Sequence, residues 1–337
     1  PSKTYAVTVV SDSGNKYRFD GFGTSAATLN LQEGGTYTFN YPSAHPFKFS
    51  TTSNGTHASG SEYTTGVTHN SSTQTTIVVA ASAPALYYYC SLHSGMGGAV
   101  NTNATSGSSN FNGSIVSTVS ANVAAGFSIV TYTGTGSNAT VGHGLSQKPS
   151  MSWIKPRNFA DNWIVTYDAV DGSDDQAYLN LTNAGGSPAA QYAVAQNATT
   201  LGLTAWNNIN DTNDTYVSYC FHSVESYSKV GKYVGNGSAT AGPFVHCGFK
   251  PAFVLIKRSS AAQDWYLWDT KTSPVNPVDA TLSPNSSGAE GDRSSLPTDV
   301  LSNGFKIRNT SIGWNGSGDT YIFIAFAENP FKHSNAR

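Results

Sequence analysis

Charge is scarce in this sequence. Asp, Glu, Lys and Arg make up 11% of its 337 residues, against about 25% in ordinary globular proteins. The 18 Lys and Arg are matched by 20 Asp and Glu, so no basic excess exists to neutralise phosphates and no nucleic-acid partner is expected. No apolar run approaches the roughly 20 residues that cross a bilayer as a helix, which argues against membrane insertion. Cysteine is scarce too: three residues are too few, and odd in number, for a disulfide scaffold. The stretch Pro1-Ser-Lys-Thr-Tyr5 has no apolar segment behind a basic one, so no secretory leader is expected. The frequent Asn-x-Ser/Thr triplets are then a product of composition rather than glycan sites. Gly-x-Ser-x-Gly, His-Glu-x-x-His and phosphate-loop motifs are missing, and the chain is expected to be non-enzymatic. Disorder is excluded as well, because 12% of residues are aromatic and the net charge is only -2.

Strand patterns dominate what is present. Residues 4–10, 16–19, 28–31 and 36–41 alternate apolar and polar side chains, separated by Gly, Asn, Asp and Ser clusters. Amphipathic helices are nearly missing, so the expected fold class is all-β. Residues 101–126, rich in Ser, Asn, Ala and Gly, read as a linker.

An internal repeat follows. Phe127-Ser-Ile-Val-Thr-Tyr-Thr-Gly-Thr-Gly-Ser137 aligns with Tyr227-Ser-Lys-Val-Gly-Lys-Tyr-Val-Gly-Asn-Gly-Ser238, and Lys148-Pro149 with Lys250-Pro251. Trp163 then aligns with Trp265, and Trp206 with Trp314 ahead of Asp214-Thr-Tyr and Asp319-Thr-Tyr. A period this long indicates a duplicated domain rather than a solenoid. The expected organisation is a β-sandwich over 1–100, the linker over 101–126, and two tandem β-sandwich repeats over 127–225 and 226–337.

The strongest chemical signal lies near residue 90. Leu86-Tyr-Tyr-Tyr-Cys90 reads as a strand, and Ser91-Leu-His93-Ser-Gly-Met96-Gly-Gly98 as the loop after it. A second histidine, His45, ends another strand upstream. Two imidazoles, one thiolate and a weak axial thioether form the ligand set of a blue-copper site. The alternative is structural: Cys90 as a small buried hydrophobe, Met96 as a core filler, and two loop histidines.

Residues 4–100 resemble the cupredoxin family through Gly34-Gly-Thr-Tyr-Thr-Phe39, His45-Pro46, Tyr89-Cys90, His93 and Met96-Gly97, with a short ligand loop similar to the amicyanin type. The resemblance implies copper as cofactor, His45, Cys90 and His93 as equatorial ligands, and Met96 as the axial one. Ala44 and Leu92 stand where many members carry Asn and Pro. The C-terminal region resembles a repeat domain of marine bacteriophage structural and tail proteins, most recognisably in Phe326-Ala-Glu-Asn-Pro-Phe-Lys332. That likeness implies a virion structural protein, a tail fibre, appendage or capsid decoration. Its partners would be other virion proteins, further copies of itself, and a glycan or protein of the host surface. The alternative function is a type 1 copper electron carrier; a third has copper as a structural staple in the particle.

Three weaker features have structural explanations. Asp168-Ala-Val-Asp171-Gly-Ser-Asp174-Asp175 offers oxygens of the kind calcium takes but lacks EF-hand spacing, so a solvated turn is expected. Trp163, Trp206, Trp265, Trp268 and Trp314 suit sugar stacking, but their repeat-aligned positions favour a core role. Cys220, and Cys247 beside His246, are expected to be structural, since neighbours on a strand face opposite ways.

Overall fold

The computed structural model describes residues 2–168, 174–186, 196–292 and 297–329. The protein is all-β and of sandwich type, with 45% of residues in strands and 3% helical. Residues 2–101 form two facing sheets. One has five strands in the order Asn15–Phe19, Ser2–Ser11, Thr36–Asn40, Gln74–Val78, Val67–Ser71. The other has four, in the order Leu29–Asn30, Gly98–Asn101, Leu86–Cys90, Phe47–Ser50. The period of two puts Tyr37 and Phe39 of one sheet, and Phe47 and Phe49 of the other, into a single core at 0% exposure. Phe39 and Phe47 stack across the gap with centroids 4.7 Å apart.

The repeat is visible in the topology. Phe127–Thr133, Thr215–Phe221, Met151–Pro156 and Ile164–Asp168 lie side by side in that order. Ser228–Val234, Thr320–Ala327, Pro251–Arg258 and Trp265–Asp269 do the same. Each copy has a tyrosine pair, Tyr132 with Tyr216 and Tyr233 with Tyr321, stacked at 5.3 and 4.9 Å. Each also has a buried asparagine. Asn210 Oδ1 accepts from the Thr135 N–H (2.8 Å) and its amide donates to the Ser137 carbonyl (2.6 Å). Asn315 does the same with Asn236 (2.7 Å) and Ser238 (3.0 Å).

These bonds correct one alignment. Tyr132 donates to the Ile209 carbonyl (2.7 Å) and Tyr233 to that of Trp314 (2.9 Å). Trp314 therefore corresponds to Ile209, and Trp206 to Ser311. The stretches from these residues to Asp214 and Asp319 have the same length, so the two tryptophans occupy different positions, and at the Ile209 position the copies keep apolar character rather than residue type. Trp265, Trp268 and Trp314 are core residues at 0%, 1% and 2% exposure, while Trp163 and Trp206 are half-buried.

The two copies share a further apolar layer. Met151, Val165, Tyr167 and Ala177 of the first pack against Leu255, Trp265, Ile322 and Ile324 of the second. Trp265 Nε1 donates across it to the Tyr178 carbonyl at 2.7 Å.

Residues 101–126 are not a linker. Ser108–Asn110 and Ser117–Asn122 extend the first repeat's sheet, the latter pairing with Phe127–Thr133. Phe111 enters the N-terminal core, and the Ser109 carbonyl accepts from Lys3 Nζ (2.7 Å) and Tyr5 OH (2.8 Å). The linker-like composition arises because several buried positions are polar and find partners elsewhere in the chain, as where Ser117 Oγ donates to the Gly142 carbonyl at 2.8 Å. In the second repeat the equivalent strand, Ser228–Val234, is a sheet edge, and a cleft of about 500 Å³ runs beside Lys229, Gly231, Tyr233, Phe244 and His246. Of the acidic stretch weighed for calcium, residues 169–173 lie outside the described residues, as do residues 330–332 of the phage-like ending. Asp168 pairs with Lys148 at 2.9 Å.

Lys257 is 0% exposed and donates to the carbonyls of Thr182 (2.9 Å) and Gln263; its repeat equivalent, Lys155, donates to the carbonyl of Asp161. Burial, partly offset by Asp264, pulls the Lys257 ammonium from 10.5 down to about 8. Between these two values the unfolded chain holds the proton that the folded chain has released, so this group's contribution to stability rises with pH. The stability difference between wild type and Lys257→Met, from urea unfolding, is therefore expected to shift in favour of wild type from pH 8 to pH 10. A pH-independent difference would contradict this account.

Candidate metal centre

Pairing between Phe47–Ser50 and Leu86–Cys90 sets Phe47 opposite Cys90. His45, two residues before Phe47, is thereby brought to the end of the strand that carries the cysteine. A turn orients it, with the His45 N–H donating to the Pro42 carbonyl at 2.9 Å. After Cys90 the chain reverses, and the loop returns His93 over the sulfur. Cys90 Sγ lies 4.0 Å from His45 Nδ1 and 3.6 Å from His93 Nδ1, and the two imidazole centroids are 4.6 Å apart. Among the described residues, His45, Cys90 and His93 form a group whose donor atoms all lie within 4.8 Å of one another. Met96 is 1% exposed and belongs to the same core cluster as Cys90.

These donors fit one ion. With metal–nitrogen bonds of about 2.0 Å and metal–sulfur bonds of about 2.3 Å, nitrogen and sulfur ligands stand about 3.6 Å apart. Cys90 is fully buried, His45 half-buried and His93 exposed, so one edge of the cluster meets solvent. The His45 imidazolium is disfavoured, by burial first and by the neighbouring His93 second, which favours the neutral ring that ligation requires.

The surroundings hold the ligand backbone. Tyr17 OH donates to the His45 carbonyl (2.7 Å), and the Tyr17 N–H donates to the Met96 carbonyl (3.0 Å). Burial, then the adjacent Cys90 sulfur, pushes the Tyr17 phenol far above its ordinary value, so it remains a donor. The Ser91 N–H donates to the Pro46 carbonyl (3.1 Å), and Lys16 Nζ donates to that of Gly95. His57 Nε2 donates to the Cys90 carbonyl at 2.9 Å, which makes it the protonated nitrogen. Asn54 reaches the loop too, accepting from the Gly95 N–H at 2.7 Å and donating to Ser94 Oγ at 2.8 Å. Sequence reasoning missed Tyr17, Asn54 and His57, since none belongs to a motif and each contact depends on tertiary packing.

The other thiols are different. Cys220 and Cys247 are buried, and burial pushes them up to about 11 and about 12 respectively. Both are inert core groups. Cys247 faces inward and His246 outward, as strand alternation requires.

Fold and cluster together define an all-β protein with a His-Cys-His donor set at one end of its N-terminal sandwich. A family model described as a domain of unknown function (DUF7483) matches residues 100–330, more than half of the chain, and the chain belongs to that family. The match covers both repeats and begins just before the strands of 101–126; the donor cluster lies outside it. No curated protein and no solved structure matches the chain.

Gly97 keeps the loop against its strand. A Cβ there would stand 1.7 Å from the Tyr88 carbonyl oxygen, a backbone atom that cannot step aside. Gly97→Ala is expected to destabilise the protein by about 2 kcal/mol, read by urea unfolding. An unchanged midpoint would mean that the loop relaxes freely.

Proposed function

We propose that the N-terminal sandwich is a copper-binding module of the cupredoxin type, carried by a non-enzymatic virion protein of a bacteriophage. The observation that carries the copper reading is the placement of His45 Nδ1 and His93 Nδ1 at 4.0 and 3.6 Å from Cys90 Sγ. His45, Cys90 and His93 would hold the ion, with the Met96 thioether as a weak fourth ligand. A soft thiolate and an axial thioether favour copper over zinc at such a site. Bound copper would supply a one-electron Cu(II)/Cu(I) couple. Exposure of His93 at the edge of the cluster favours the alternative that the module carries electrons to a partner.

The virion reading is supported by the likeness of the two C-terminal repeats to phage tail and structural domains. Three sandwiches with little surface charge suit a rigid appendage, repeated by particle symmetry, that meets host-surface glycans or proteins by many weak contacts.

Titration of the metal-free protein with Cu(II) should give one equivalent bound and an intense visible band, lost in Cys90→Ser. A colourless protein, or a preference for Zn(II), would overturn the copper reading. For the second part, antibodies against the purified chain should label intact phage particles from its source. Label confined to unassembled protein would overturn the virion role.

A further inference from the structure

The exposed ligand, His93, sits in a segment with few anchors. Ser91 is held at one end through the Pro46 carbonyl, and Met96 at the other through the Tyr17 N–H. Ser94 and Gly95, the two residues directly after His93, are held by one side chain, Asn54, with Lys16 on the Gly95 carbonyl. Asn54 takes two bonds at once: its Oδ1 accepts from the Gly95 N–H, and its Nδ2 donates to Ser94 Oγ.

Asn54 is itself fixed. It has φ 61° and ψ 12°, left-handed values that asparagine tolerates better than most residues. The short 3₁₀ turn Gly55–Ala58 that follows is seated on the ligand strand. A Cβ at Gly55, also left-handed at φ 53°, would lie 2.5 Å from the buried Tyr89 ring. His57 of the same turn bonds the Cys90 carbonyl. One turn therefore contacts both ends of the Cys90-to-Gly95 segment, through His57 on the cysteine side and Asn54 beyond His93.

We infer that Asn54 is a positioning residue for the metal centre, setting where the His93 imidazole stands relative to Cys90 Sγ. The inference rests on the copper reading for its consequence but not for its geometry. Removing the clamp releases Ser94 Oγ and the Gly95 N–H, leaving Lys16 on the Gly95 carbonyl, and His93 then samples positions too far from Cys90 Sγ to share one ion with it. Partners that orient ligands typically contribute 10–100-fold to metal affinity.

Two variants test this. Asn54→Gly keeps the left-handed backbone and deletes the side chain. Asn54→Asp keeps an acceptor for the Gly95 N–H. In the metal-free protein, Asn54→Gly should speed exchange of the Gly95 amide hydrogen about tenfold, as expected when a bond of roughly 1.4 kcal/mol is lost, and Asn54→Asp should restore most of the protection. Unchanged exchange in Asn54→Gly would overturn the clamp, whether or not any metal binds. With Cu(II), Asn54→Gly should bind about 10–100-fold more weakly and shift the thiolate-to-copper band, with Asn54→Asp in between. Faster exchange together with unaltered copper affinity and spectrum would overturn the positioning role. A wild type that binds no copper while Gly95 exchange responds as expected would defeat the copper reading and leave the clamp standing.

Discussion

Strand alternation with both faces buried is the constraint on which this molecule depends. In Thr320–Ala327, Tyr321, Phe323 and Ala325 enter the core of the second repeat, and Ile322 and Ile324 enter the layer shared with the first. A one-residue slip would exchange the two sets and ruin both cores. The same constraint makes the C-terminal region one body: Trp265 packs in the shared layer while its indole N–H reaches the Tyr178 carbonyl of the other copy.

Duplication leaves the copies alike in hydrogen bonding and unlike at their edges. The buried asparagines Asn210 and Asn315 tie equivalent loops, and leaving either set of backbone groups unpaired would cost more than the bonds themselves contribute. The first copy covers its outer strand with Ser117–Asn122, whereas the second leaves Ser228–Val234 as a sheet edge beside a cleft. Segment 101–126 thus completes one repeat and, through Ser109 and Phe111, joins it to the N-terminal sandwich.

The donor cluster uses that sandwich as a rigid platform. Cys90 ends a strand whose Tyr88 and Leu86 are locked in the aromatic core, so the thiol has little freedom. His93 is the exposed member, on the loop that follows the strand. The site's geometry is therefore decided by what holds that loop, and those groups come from three separate places in the chain: Lys16 and Tyr17, Asn54, and Pro46.

The sequence by itself determined the all-β class, the two-fold repeat and the grouping of the candidate donors Cys90, His93 and Met96 around one loop. Each of these is written locally, as a period of two, a similarity at fixed offset, or a spacing in one loop. Whether His45 would reach Cys90 was decided by the pairing of Phe47 with Cys90, a long-range register that no local pattern specifies. The burial of Ser108, Ser109, Asn110 and Ser117 was likewise hidden, because serine and asparagine look solvent-loving until tertiary partners satisfy them. Asn54 and His57 carry no local signal either, since a hydrogen bond to a distant backbone depends on distance and orientation, and folding alone supplies both.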